Sequence, residues 1–142
     1  MIWSHRLALL TSGATFVLIL FGGLVTNTGA ALAVPDWPTT FGHNMFLYPW
    51  SRMVGGIFYE HSHRLIGSLV GVLTLLLALV LWVTGSWPWL RWLGAGALVL
   101  VSVQGVLGGL RVILLADGLA VVHGALAQAF FGLTVALALF TS

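Results

Sequence analysis

The run from Leu65 to Thr84 holds no charged residue. At about 1.5 Å per residue its roughly 20 residues reach about 30 Å, the thickness of a bilayer's hydrocarbon core. Three further apolar runs occur, at about 7–26, 92–112 and 119–140, with Arg111 the one charged residue among them. A segment this long and apolar has to be satisfied inside itself by a helical backbone, since lipid offers no hydrogen bonds. Composition points the same way. The chain is 60% hydrophobic and only 6% charged, with a mean hydropathy of +1.10, whereas a soluble domain carries about a quarter charged residues. The reading is an all-α integral membrane protein. It is a single membrane domain over 1–142, with four transmembrane helices in one bundle and a loop at about 27–59.

Charge and cysteine content exclude several functions. The positive charges are five arginines, with no lysine and no basic block that would suit nucleic acid. With no cysteine there is neither a disulfide framework nor a thiolate metal site. Ala31-Leu32-Ala33 also resembles a signal-peptidase site, which makes a leader peptide the rival reading of the first helix. Gly85-Ser86-Trp87-Pro88 reads as a tight break and Asp117-Gly118 as a turn. Trp87, Trp89 and Trp92 mark a membrane interface.

The loop contains Gly29, Pro35, Pro38, Gly42 and Pro49, which argue against a long regular element. It is also rich in aromatics (Trp37, Phe41, Phe46, Tyr48, Trp50 and Phe58) and poor in charge, unlike a disordered segment. It is expected to lie on the membrane surface and cover something. An even number of spans puts both termini on one side. Arg6 and Arg91 flank the short segments without acids, while Arg52, Arg64 and Arg111 share their side with Asp36, Glu60 and Asp117. We therefore place both termini in the cytoplasm and the protein in the cell (inner) membrane, as a multi-pass protein.

At the loop's end, Glu60-His61-Ser62-His63-Arg64 packs one carboxylate, two imidazoles and a guanidinium into five residues. An internal repeat sorts them. Gly22-Gly23-Leu24 ends the first helix and Gly108-Gly109-Leu110 the third. His63 opens the second helix and His123 lies near the start of the fourth, each followed eleven residues later by a threonine, Thr74 and Thr134. The chain thus reads as two pseudo-repeated helix hairpins. The second and fourth helices run in the same direction, so His63 and His123 are expected at similar depth and facing each other. His61 is expected in the loop, facing solvent or headgroups.

A histidine inside a membrane helix is either hydrogen-bonded to a nearby carbonyl or functional. Two at matched depth suit a porphyrin iron with axial imidazoles. Zinc fits less well, since only His61 and Glu60 are at hand to complete about four ligands. Gly67, Gly71, Gly124, Ala125 and Ala127 leave room for a flat macrocycle. Arg64 or Arg111 would pair with propionates, or Arg64 would snorkel at the interface. Gln104 and Gln128 read as interhelical hydrogen bonds. If the second helix begins a turn early, Glu60, His63 and Arg64 share a face. Glu60 is then either an ion-pair partner for Arg64 or a proton-handling group.

Several stretches together carry a resemblance: Gly22-Gly23-Leu24-Val25-Thr26, Val34-Pro35-Asp36-Trp37-Pro38, Phe58-Tyr59-Glu60-His61-x-His63-Arg64, Gln104-Gly105-x-x-Gly108-Gly109-x-Arg111 and Val122-His123. They resemble the haem A synthase family, over essentially the whole chain. The usual member has eight membrane helices in two pseudo-symmetric halves, and this chain resembles the amino-terminal half. The resemblance implies oxidation of the pyrrole-8 methyl of haem O to a formyl group, in support of cytochrome oxidase assembly. It implies haem b and/or haem O as iron-porphyrin ligand, His63 and His123 as the metal-binding pair, and Glu60 as the catalytic acid. Two departures stand out. The second half with its own histidine pair is missing, so two haems in one assembly need a homo-oligomer or a partner membrane chain. The loop also lacks the cysteines of many members. The alternative is a non-catalytic bis-histidine haem-binding or structural subunit of a respiratory or photosynthetic membrane complex.

Overall fold

The computed structural model describes residues 2–84 and 87–142. Among them are four helices and no strand: α1 (Ile2–Asn27), α2 (Gly56–Val83), α3 (Pro88–Leu114) and α4 (Asp117–Phe140), with two short 3-10 turns in the loop at Met45–Leu47 and Trp50–Arg52. Each of the four is long and apolar enough to cross a membrane. The Gly85-Ser86 part of the expected break lies outside the described residues. Pro88 occupies the first turn of α3, where its missing N–H costs nothing. At the other end Leu115 takes a left-handed φ of 51°, the conformation that stops a helix.

The second helix starts at Gly56 rather than at about 64, so the whole Glu60–Arg64 cluster is helical. Two glycines permit the early start. Gly55 has a φ of +56°, which turns the chain into the helix at little steric cost. Gly56 lies against the returning loop, where a Cβ would come within 3.1 Å of the Ala33 Cβ.

Each helix packs against its two neighbours in the ring order α1, α2, α3, α4, and α4 closes on α1. His5 Nδ1 lies 2.9 Å from the Ala138 carbonyl, so the start of α1 and the end of α4 share one face of the bundle. The bundle is solid on that side and hollow on the other. Its solid half is built from Ala8, Val70, Leu77, Leu81, Leu90, Ala97, Phe130 and Leu137. Packing there depends on shape, because lipid is as apolar as leucine and gives no hydrophobic drive. Leu81 fills the space above Gly94, where a Cβ would meet its Cδ1 at 2.8 Å. The hydroxyls of Thr11, Thr15 and Thr74 each donate to the carbonyl four residues back, so these buried polar groups cost little in lipid.

Trp82 and Trp92 meet edge-on, as do Trp89 and Phe140, and Arg6 lies over the Trp3 ring at 5.3 Å. These rings gather at the terminal face, the belt expected of a membrane interface. Phe16 of α1 and Phe131 of α4 pack together within the bundle, and the loop carries a second group of aromatics at the opposite face.

Candidate functional site

Small residues make the other half of the bundle hollow. Gly22 and Gly23 of α1, Gly67 and Gly71 of α2, Gly105, Gly108 and Gly109 of α3, and Gly124 and Ala127 of α4 all line one cavity of about 1030 Å³. That is at the upper end of the range for small-molecule and cofactor sites. Its wall also carries His63, His123, Glu60, Arg64 and Arg111. Helical spacing therefore assembles five residues from three helices around one space.

The two histidines sit symmetrically. His63 is seven residues beyond Gly56 and His123 six beyond Asp117, about 10 and 9 Å along helices that run in the same direction. α2 and α4 stand diagonally opposite in the ring, so both imidazoles reach the same interior. Each ring rests on a glycine of the preceding helix. A Cβ on Gly22 would lie 3.2 Å from His63 Cε1, and one on Gly108 would lie 3.3 Å from His123 Cε1. Thr74 and Thr134, the threonines eleven residues on, are both buried. The two rings turn to equivalent main-chain carbonyls, those of Leu18 and Gln104, with different geometry. His63 Nδ1 is 3.2 Å from the Leu18 carbonyl, which leaves Nε2 uncommitted. His123 Nδ1 and Gln104 Oε1 are both buried without a well-formed hydrogen bond among the described residues, although Gln104 Nε2 donates to the His123 carbonyl at 3.1 Å.

Glu60 and Arg64 are one turn apart and form a buried pair at 2.8 Å. The guanidinium does more than balance the acid. Nη1 donates to the carbonyls of Asp36 and Thr39, and Nη2 to the carbonyl of Val34 and to Glu60 Oε1. All four terminal N–H groups are thereby occupied, and only Nε–H remains for anything in the cavity. Glu60 Oε2 accepts from the Val34 backbone N–H at 2.9 Å. The cluster thus pins the loop to the top of α2. Among the described residues Arg111 forms no hydrogen bond or ion pair. It lines both the large cavity and a small pocket of about 110 Å³ beside Asp117.

His61 corrects the sequence expectation. It is neither in the loop nor facing solvent. It sits within α2, 1% exposed, with Nδ1 3.1 Å from Thr40 Oγ1 and its ring 5.3 Å from that of Tyr48. The helix starts early, so His61 faces the folded loop while His63 faces the cavity. The only sequence signal for this was the one-turn spacing of Glu60 and Arg64. Among the described residues no three histidine or acidic side chains gather in metal-binding fashion.

The loop covers the cavity. Trp37, Pro38 and Met45 contribute to its lining. Trp37 packs flat onto α3 at Gly109, where any Cβ would overlap its ring. Gly109→Ala is therefore expected to push Trp37 off α3, at about 1–3 kcal/mol, the usual cost of overpacking. Quenching of tryptophan fluorescence by acrylamide should rise in the variant. Unchanged quenching would show that Trp37 does not depend on that glycine.

Asp36 organises the turn that presents Trp37. Its carboxylate accepts from the backbone N–H groups of Phe41 and Gly42 at 2.8 and 2.9 Å and from the Thr39 hydroxyl. Partial burial works to raise its pKa, but the Gly42 N–H, the Thr39 hydroxyl and the Phe41 N–H outweigh it and hold the carboxyl down from 3.8 to about 2. A depressed folded-state pKa contributes stability that is present above the unfolded value and is lost as pH falls through the folded one. The cap should therefore hold at pH 5 and loosen between about pH 4 and 2, read by Trp37 fluorescence. Asp36→Asn should remove that transition. A transition that survives in Asp36→Asn would assign it to another group.

No protein-family model matches the chain, and no solved structure matches it either. Two curated proteins do. A haem A synthase of Shouchella clausii (strain KSM-K16) is 34% identical over 105 residues, covering 72% of this chain and 34% of that protein. A haem A synthase of Alkalihalophilus pseudofirmus (strain ATCC BAA-2126 / JCM 17055 / OF4) is 30% identical over 110 residues, covering 71% of this chain and 33% of that protein. The chain thus spans about a third of the length of the curated relatives it matches.

Proposed function

We propose that this chain, a relative of the haem A synthases over most of its length, is a haem-binding membrane protein serving the oxidation of the pyrrole-8 methyl of haem O to a formyl group. The observation that carries the reading is the opposed pair His63 and His123, each seated on a glycine and both lining one cavity. The residues present suit an iron porphyrin. There are two imidazoles and a lining of small residues that leaves open space between the helices.

In this reading His63 and His123 would hold the iron by their imidazoles. Arg111, at the loop end of the cavity and without a hydrogen-bond or ion-pair partner among the described residues, would take a propionate. Arg64 is left to its loop carbonyls. Glu60 is the one carboxylate lining the cavity among the described residues. It would receive a proton released there on Oε1 or Oε2, leaving the Arg64 guanidinium held by the three loop carbonyls. Trp37 and Pro38 keep water out from above. The bound porphyrin would supply the redox centre. A second haem, where the chemistry needs one, comes from a second copy of this chain or from a partner membrane chain. Both termini lie in the cytoplasm, and the loop and Asp117 lie on the outer face of the cell membrane.

Co-expression with a source of haem O, followed by extraction and identification of the pigment, tests the reaction. Haem A in the extract supports it. Haem bound through both histidines with no haem A formed would favour the second reading, a non-catalytic bis-histidine subunit. A purified protein that takes up no haem would sink both.

A further inference from the structure

The two seams between the hairpins are unequal. α1 meets α4 along one, and α2 meets α3 along the other. The recurring spacings make positions on the two seams comparable. Phe16 lies six residues before Gly22, and Ser102 six before Gly108; Phe131 lies eight beyond His123, and Gly71 eight beyond His63. At the first seam the two phenylalanine rings meet, with centroids 6.0 Å apart. At the second the equivalent residues are a serine and a glycine, and both line the large cavity. A Cβ on Gly71 would meet nothing within 4 Å, and neither would one on Gly105 across the seam.

The cavity follows this difference. On α4 its lining ends at Phe130, seven residues or about 10 Å beyond His123. On α2 it continues to Leu75, twelve residues or about 18 Å beyond His63. Leu98, Val101 and Ser102 of α3 line the same leg. Further along, the seam is closed at Gly94, where a Cβ would meet Leu81 and Ala78. Val72 and Leu75 are 54% and 42% exposed, so the leg opens sideways toward lipid. It is apolar, since the Ser102 hydroxyl is spent on the Leu98 carbonyl at 2.8 Å.

We propose that this leg between α2 and α3 is the berth of a long isoprenoid chain carried by the porphyrin. The inference rests on the haem reading and adds which porphyrin the cavity is shaped for, because haem O bears such a chain and haem b does not. A macrocycle between His63 and His123 has no use for space twelve residues beyond them, whereas a chain trailing from its edge does. Lipid is as apolar as leucine, so the chain gains nothing merely by leaving it. Discrimination comes from the room that Gly71 and Ser102 leave.

The test titrates the full chain in lipid nanodiscs with haem O and, separately, with haem b. The double substitution Gly71→Phe with Ser102→Phe rebuilds at this seam the ring pair of the other. It should lower the ratio of haem O to haem b affinity about 10–100-fold, the scale of overpacking a fitted space. A second measurement needs no bulky substitution. The chain has no cysteine, so Leu75→Cys carries the one thiol. Its alkylation by an apolar maleimide should be slowed by bound haem O and not by bound haem b. An unchanged affinity ratio in the folded double variant overturns the proposal. So does equal protection of the thiol by the two haems, and protection by neither means that lipid alone fills the leg. Should the double variant fail to fold, the thiol protection decides. A wild type that binds neither haem overturns the haem reading and this inference with it, whereas binding of both without these differences sinks the inference alone.

Discussion

Alanine at either His63 or His123 should leave a folded protein that no longer forms a low-spin complex with haemin. The expected loss is large, at least about 100-fold in affinity, because it removes a metal–ligand bond and not merely the partner that orients one. Folding should survive, since neither ring belongs to the leucine-rich core of the terminal half. Among the described residues the His63 side chain hydrogen-bonds only to the Leu18 carbonyl. Added imidazole should restore part of the spectrum by occupying the vacated space. His61→Ala is the control. It breaks the contact with Thr40 and the packing on Tyr48, so it should lower stability yet leave the low-spin spectrum intact. A spectrum lost in His61→Ala at full stability, or retained in both His63→Ala and His123→Ala, would contradict the assignment.

Arg64→Ala should be the most damaging single change to the fold. It strips the donors from three loop carbonyls at once and leaves Glu60 buried beside Val34 without its cation. Breaking a buried pair by removing one partner costs about 3–5 kcal/mol. The loss should appear as a lower denaturation midpoint in detergent and as protease sensitivity confined to the loop. Arg64→Lys should recover little, because a point-like ammonium cannot reproduce the planar fork. If Arg64→Ala instead kept full stability and only weakened haemin binding, Arg64 would be a propionate ligand and not the clasp of the loop.

Four helices were legible because each must be apolar over the full thickness of a membrane, a demand that leaves little freedom in the sequence. The opposed histidines were legible for a related reason. The same spacings recur in both hairpins, and Gly22 and Gly108 do meet His63 and His123 in matching contacts. The start of α2 was not. A polar cluster after a loop rich in glycine and proline looks like the mouth of a helix. Glu60, His61 and Arg64 can lie inside one only because the loop folds back to satisfy them, and that return is a long-range event. The task of Arg64 was hidden likewise: its partners Val34, Asp36 and Thr39 offer main-chain carbonyls, which carry no residue signature.

The central claim is that one porphyrin iron is held between His63 and His123. Electron paramagnetic resonance of the ferric protein, purified with its native pigment and compared with His63→Ala and His123→Ala, tests it most directly. The account predicts a low-spin bis-imidazole signal at one haem per chain, replaced by a high-spin signal in each variant. A high-spin wild type, or a low-spin signal that persists in either variant, would contradict it.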